Sequence, residues 1–224
     1  GWTIDIGLGA GDTVMTPCAA SPDASTVYFG SENGVIYAVN SSGLAWQKQT
    51  GGLLQSAPVV RDDGVIFVSN GTDGFMYAQA SDGADLWKVQ VNASSGWIPT
   101  VDPDSGDVFS YFGFDDIVRL DGETGNQLWK TEVDPPSAVG ELVMGDNGVL
   151  YSASSTGRVF ALSAETGEIL WQYHLAKSNG EVTTVAFIGG PLITDGRLYI
   201  GNENSMVYSL NLVPQETLQA PTGE

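Results

Sequence analysis

Apolar and polar positions alternate along this chain in short runs, and the runs recur in one order about every 40 residues. Gly157-Arg-Val-Phe-Ala-Leu-Ser-Ala-Glu-Thr-Gly-Glu-Ile-Leu-Trp171 reads as a strand, a Gly-containing turn and a second strand anchored by Trp. The same order runs from Gly34 through Gly43 to Trp46, and from Gly74 through Gly83 to Trp87. A looser copy runs from Asp116 through Gly125 to Trp129. A fixed period of this length is the mark of a repeat architecture, in which each unit buries its apolar face only by stacking on its neighbours.

Five units can be counted. Their first strands are Pro17-Cys-Ala-Ala, Pro58-Val-Val-Arg, Pro99-Thr-Val-Asp, Glu141-Leu-Val-Met and Pro191-Leu-Ile-Thr. Turns follow at Ser21-Pro-Asp-Ala-Ser, Asp62-Asp-Gly, Asp102-Pro-Asp-Ser-Gly-Asp, Gly145-Asp-Asn-Gly and Asp195-Gly, which suit antiparallel neighbours. The second strands begin at Val27, Val65, Val108, Val149 and Leu198. The third are Val35–Val39, Phe75–Gln79, Ile117–Leu120, Arg158–Leu162 and Met206–Leu210.

The Trp positions predict how the units close. Trp46, Trp87, Trp129 and Trp171 are 41, 42 and 42 residues apart, and Trp2 lies 44 before Trp46. The fifth unit ends in Leu212-Val-Pro214 without a Gly-x-x-x-Trp, whereas Trp2-Thr-Ile-Asp-Ile is an outer strand without a unit. The expectation is an all-β, five-bladed β-propeller of four-stranded antiparallel blades over residues 1–213. The N-terminal strand at Trp2 would complete the last blade beside Tyr208, and closure removes exposed sheet edges. Residues 214–224, polar and Pro-bearing, read as a disordered tail.

Charge narrows the partners. Eight Lys and Arg stand against 27 Asp and Glu, a net charge of −19, so nucleic acid and anionic membranes, which select basic patches, are not expected as partners. No run of 18 apolar residues is present to insert into a membrane. Cys18 is the single cysteine, which rules out an intrachain disulfide, and its apolar neighbours predict a packing role. The chain starts at Gly1 without Met or signal-like regions, as expected of a processed chain or an excised module.

The pattern Tyr28-Phe-Gly-Ser-Glu-Asn-Gly-Val-Ile-Tyr-Ala-Val-Asn40, followed by Gly43 and Trp46, resembles the repeats of the pyrroloquinoline-quinone-like propellers, and the likeness extends from Trp2 to Leu210. The resemblance implies a propeller, usually of eight blades. It also implies one of two roles, a quinoprotein dehydrogenase or a cofactor-free scaffold that binds proteins. The recurrent Trp and the aromatics Tyr37, Tyr77, Phe160 and Tyr208 are expected to pack between blades. The dehydrogenases bind a calcium–quinone pair, often over a vicinal disulfide, which one cysteine cannot form. His174 is the only histidine and no haem-attachment motif occurs, so catalytic residues and a cofactor are not expected. The cluster Asp102, Asp104 and Asp107 is a candidate calcium site. Its spacing departs from the twelve-residue calcium loop, and turn chemistry accounts for it.

Function is sought where the repeats break their own rule. Unit three carries Tyr111-Phe-Gly-Phe-Asp-Asp116 in place of a short Gly turn, with Arg119 where the others have Ala. Trp97 stands just upstream, and Glu141 replaces a strand-heading Pro. In a blade, the loop between strands two and three and the loop entering strand one emerge on the same face. Trp97, Tyr111, Phe112, Phe114, Asp115, Asp116, Glu141 and His174, with the long connection from Ala176 to Gly190, are therefore the candidate partner-binding residues. The expected function is a non-catalytic binding scaffold for a protein partner, extracellular, periplasmic or at the cell surface. The alternatives are carbohydrate recognition by stacking on Trp97, Tyr111 or Phe112, and a quinone-dependent enzyme.

Overall fold

The structure is a computed structural model that describes residues 2–5, 7, 13–14, 16–92, 97–113, 116–133, 141–175, 189–203 and 205–212. The chain divides into two compact units, Gly1–Pro136 and Ser137–Glu224. The described residues are all-β.

The first unit holds three four-stranded antiparallel sheets. The first comprises β1 (Ala19–Ala20), β2 (Thr26–Gly30), β3 (Val35–Asn40) and β4 (Gly43–Gln49). The second comprises β5 (Val59–Val60), β6 (Ile66–Asn70), β7 (Phe75–Gln79) and β8 (Asp85–Gln90). The third comprises β9 (Thr100–Val101), β10 (Val108–Phe112), β11 (Asp116–Leu120) and β12 (Gln127–Glu132). The second unit holds a fourth such sheet, β13 (Val143–Gly145), β14 (Val149–Ala153), β15 (Arg158–Ser163) and β16 (Ile169–His174). It also holds a three-stranded sheet, β17 (Leu192–Thr194), β18 (Arg197–Gly201) and β19 (Val207–Asn211). Every neighbouring pair is consecutive in sequence, so short turns alone set the topology.

One register detail recurs in all four complete sheets. Ala38, Ala78, Arg119 and Ala161 lie opposite Trp46, Trp87, Trp129 and Trp171, and the ladder slips by a bulge immediately after. The same central residues pair on their other side with Tyr28, Phe67, Phe109 and Tyr151. The two aromatics therefore flank a central residue on one face, with ring centroids 5.6 to 5.9 Å apart. Tyr37 is adjacent to Ala38, so the two-residue strand period turns it to the opposite face, where it stacks on Phe29 at 5.4 Å.

Facing sheets bury the cores. Tyr28, Ile36 and Ala38 meet Ile66 and Val68, and Phe67, Met76 and Ala78 meet Val108, Val118 and Leu120. In the second unit Tyr151, Val159 and Ala161 meet Leu198 and Ile200. The sheet β17–β18–β19 has no fourth strand among the described residues, and residues 2–5 form no strand. Trp2, 49% exposed, instead lines a cavity of about 500 Å³ with Ile4, Val14, Cys18, Val27 and Phe29 in the first unit. Cys18 is exposed rather than packed inside, because it precedes the two-residue strand β1 at the open edge of its sheet. The tail, residues 214–224, lies outside the described residues.

Candidate functional site

The strand ends place the candidates. Trp97 stands three residues before β9, Phe112 ends β10 and Asp116 begins β11, so the antiparallel order brings all three to one end of the third sheet. The rings of Trp97 and Tyr111 are 5.2 Å apart at 56°. The Trp97 carbonyl accepts a 2.9 Å hydrogen bond from Ser56 Oγ. Its Nε1 is buried and has no hydrogen-bond partner among the described residues, an uncommon state for an indole N–H. Phe112 pairs with Asp116 across the hairpin, and Lys130 Nζ reaches both. It lies 5.2 Å from the Phe112 ring centre and 2.7 Å from Asp116 Oδ2.

Burial changes the roles of these aromatics. Tyr111 is 1% exposed and belongs to the core, with its ring against that of Trp97. Trp97 and Phe112 are half-buried against the cluster of Val65, Phe67 and Met76. Trp97 and Phe112 thus form a packed wall whose open elements are the edges of the two rings and the pair Lys130–Asp116. Phe114 and Asp115 lie outside the described residues, as do residues 176–188 of the long connection.

In the second unit Glu141 and His174 also sit at the loop end. Glu141 is exposed two residues before β13, and a Cβ on Gly190 would come within 2.8 Å of its Cβ. His174 ends β16 opposite Arg158, whose Nε donates to His174 Nε2 at 2.6 Å.

The Asp102–Asp107 turn is built for itself. Asp102 Oδ1 accepts from the Asp104 amide at 3.0 Å and Oδ2 from Ser105 Oγ at 2.9 Å. Asp107 Oδ2 accepts from Arg119 Nε at 2.8 Å, and Oδ1 from the Gly122 amide at 3.1 Å. Among the described residues no group of three carboxylate, His or Cys side chains could hold a metal ion. Arg119, the break in the repeat, is explained by this turn.

Two features escaped the sequence reading. Arg61 runs from the second sheet to the third, with Nη1 3.2 Å from the Gly106 carbonyl and contacts to Asp63 and Glu123. A cavity of about 350 Å³ lies between the first two sheets, lined by Lys48, Tyr77, Asp85 and Lys88 among others. There Lys88 Nζ is 3.8 Å from the Phe75 ring centre, and its interaction with the Tyr77 hydroxyl holds its pKa above the usual lysine value. Burial is the main cause that pushes the Tyr77 hydroxyl up as well. The available signal was a Lys one or two places after Trp46, Trp87 and Trp129, which alternation alone reads as solvent-facing.

Comparison with known proteins gives consistent results. The sequence model of the family described as outer membrane protein assembly factor BamB matches residues 1–95 and 113–213. The outer membrane protein assembly factor BamB of Yersinia pestis is 32% identical over 87 residues, which is 38% of this chain and 22% of that protein. Among solved structures, BamB from Moraxella catarrhalis superposes with a TM-score of 0.73 at 20% identity, over 90% of this chain and 63% of that one. The computationally designed Ika8 protein gives a TM-score of 0.68 at 14% identity, over 84% of this chain and 55% of that one. The C-terminal WD40 domain of Sif2 gives 0.72 at 16%, over 90% and 55%. These likenesses are to the fold, and the matched segment spans under two thirds of each relative.

Proposed function

The chain belongs to the pyrroloquinoline-quinone-like repeat family of the outer membrane protein assembly factor BamB, and from that premise we propose that it is a non-catalytic, protein-binding scaffold in outer-membrane protein assembly. The family match over residues 1–95 and 113–213 is the observation that supports this reading. The work would be done at the periplasmic side of the outer membrane. Each sheet would be one blade of a five-bladed propeller.

The partner would meet the loop ends that carry Trp97, Phe112 and Asp116 in the first unit, and Glu141 and His174 in the second. Half-buried aromatics beside charged groups give a contact surface an apolar anchor with a polar rim. The stacking face of the carbohydrate reading loses Tyr111, which is 1% exposed.

A photo-crosslinking phenylalanine analogue at Phe112, which keeps an aromatic ring on the core, or a crosslinker at exposed Glu141 tests this. Crosslinks to components that insert outer-membrane proteins are expected from both positions and not from exposed Leu86 on the outer strand β8. Depletion of the protein should lower the level of outer-membrane β-barrels. Unchanged barrel levels, or crosslinks from Leu86 alone, would overturn the proposal.

A further inference from the structure

The repeats supply their own comparison for a groove in the second unit. Arg61 directly follows β5, and its amide bonds the Val65 carbonyl at 2.8 Å. Gly145 holds the same place at the end of β13, opposite Val149. Val59 and Val60 thus correspond to Val143 and Met144, and Asp63 to Asn147. Where the second sheet fills the channel toward its neighbour with a guanidinium, the fourth has only a hydrogen.

The two channels differ accordingly. The one between β5 and β9 is about 240 Å³, with Arg61 as a wall. Its side chain is 11% exposed. Nε and Nη2 bond both Asp63 oxygens at 2.8 and 2.7 Å, and Nη1 reaches the Gly106 carbonyl at 3.2 Å. The one between β13 and β17 is about 390 Å³ and lined chiefly by Val143, Met144, Pro191, Leu192 and Ile193, with Leu192 62% exposed. At its mouth the turns after β13 and β17 carry Asp146 and Asp195, both exposed and without a hydrogen-bond or ion-pair partner among the described residues.

We propose that the groove between β13 and β17 binds an arginine side chain of a partner polypeptide, its methylenes on Met144 and Leu192 and its guanidinium between Asp146 and Asp195. Three observations support that occupant. Arg61 shows in the same chain what the equivalent groove accommodates. The apolar floor with carboxylates at the rim matches the shape of arginine, an apolar stem with a cationic planar end. The net charge of −19 draws cationic segments toward the surface. The groove opens at the hairpin turns, at the far end of its strands from Glu141 and His174. Its failure would therefore leave the loop-end scaffold reading standing.

The test is fluorescence anisotropy with a labelled Leu-Arg-Leu peptide and its Leu-Gln-Leu counterpart at physiological salt. The arginine peptide is expected to bind and the glutamine peptide to bind at least tenfold more weakly. The pair Asp146→Asn and Asp195→Asn should weaken binding about fivefold, the scale of two rim ion pairs. The pair Asp23→Asn and Asp62→Asn, equal in charge but outside the residues that line the groove, should leave it unchanged. Gly145→Arg with Asn147→Asp recreates the Arg61 arrangement and should block the groove. Equal weakening by the two Asn pairs, equal binding of the two peptides, or binding that survives Gly145→Arg would each overturn the proposal.

Discussion

The ring of Trp46 occupies the space that a Cβ on Gly83 would need, 2.8 Å from the nearest ring atom, while its Nε1 donates to the Ser81 carbonyl at 2.8 Å. Trp87 repeats the arrangement one sheet on, 2.8 Å from a Cβ on Gly125 and 3.0 Å from the Gly122 carbonyl. The spacing Gly-x-x-x-Trp is thus a head-to-tail joint. The Gly receives the Trp of the preceding sheet, and the Trp four residues later enters the Gly turn of the next.

Gly83→Ala should therefore cost more than a turn glycine in open space. At Gly83 the φ of +87° adds backbone strain to displacement of the ring, together about 3 kcal/mol. Gly148, with φ +70° and nothing within 4 Å, has the strain alone, so Gly148→Ala should cost about 1 kcal/mol. Urea denaturation at unchanged slope separates the two, and equal losses would show that the Trp46 joint carries no stability.

This joint shows which parts of the fold could be read from the sequence. The period of Trp and Gly marks the sheets because both joints, Trp46 on Gly83 and Trp87 on Gly125, use the same two residues. The partner of each Trp, Tyr28 for Trp46 or Phe67 for Trp87, was not legible, since it depends on register across three strands and not on spacing within one. Burial at the candidate site was equally hidden. Tyr111 and Phe112 are neighbours in β10 and so lie on opposite faces of its sheet, Phe112 on the face that packs against Phe67 and Met76, and spacing alone does not tell that Tyr111 is core while Phe112 reaches Lys130. Arg119 was visible as a break in pattern, but its cause, Asp107 twelve residues earlier, comes from the pairing of β10 with β11.

Trp97 should prove partly structural. Removing a half-buried indole from the wall beside Phe67 and Met76 is expected to cost about 2 kcal/mol in Trp97→Ala. Trp97→Phe keeps the ring and deletes a buried N–H without an acceptor, so it should stay within about 1 kcal/mol of the parent. Thermal melts of both variants check this. A Trp97→Ala protein as stable as the parent would return Trp97 to a purely recognitional role.

Asp23 should set part of the acid limb of stability. Ser21 Oγ donates to its carboxylate at 2.6 Å, the main cause, and the Ser25 amide at 3.0 Å, which together lower its pKa from 3.8 to about 2. The depressed value means that the stabilisation is present above pH 3.8 and is lost as pH falls toward about 2. Asp23→Asn keeps the shape without the charge. Its melting temperature should lie below the parent's at neutral pH, and the gap should close over that window. A gap independent of pH would refute the linkage.

Arg119 and Arg61 look alike in sequence but should respond differently to replacement by Met. Arg61 bonds Asp63 and Glu123, whose side chains are 56% and 74% exposed, so both carboxylates regain water when it is removed. Arg61→Met is expected to cost about 1 to 2 kcal/mol, the scale of its lost charge-assisted bonds. Arg119 and Asp107 are 13% and 12% exposed, and deleting the guanidinium strands a carboxylate held by little more than the Gly122 amide. Arg119→Met should therefore cost about 3 to 5 kcal/mol. Adding Asp107→Asn to Arg119→Met neutralises the stranded group and should recover a large part of that loss, whereas Asp63→Asn should recover almost nothing of the Arg61→Met loss. Chemical denaturation of the four variants decides it. If Asp107→Asn brings no recovery, the cost lies in the lost packing of Arg119 over Phe109, whose ring centre is 5.7 Å from its guanidinium carbon, and not in the buried charge.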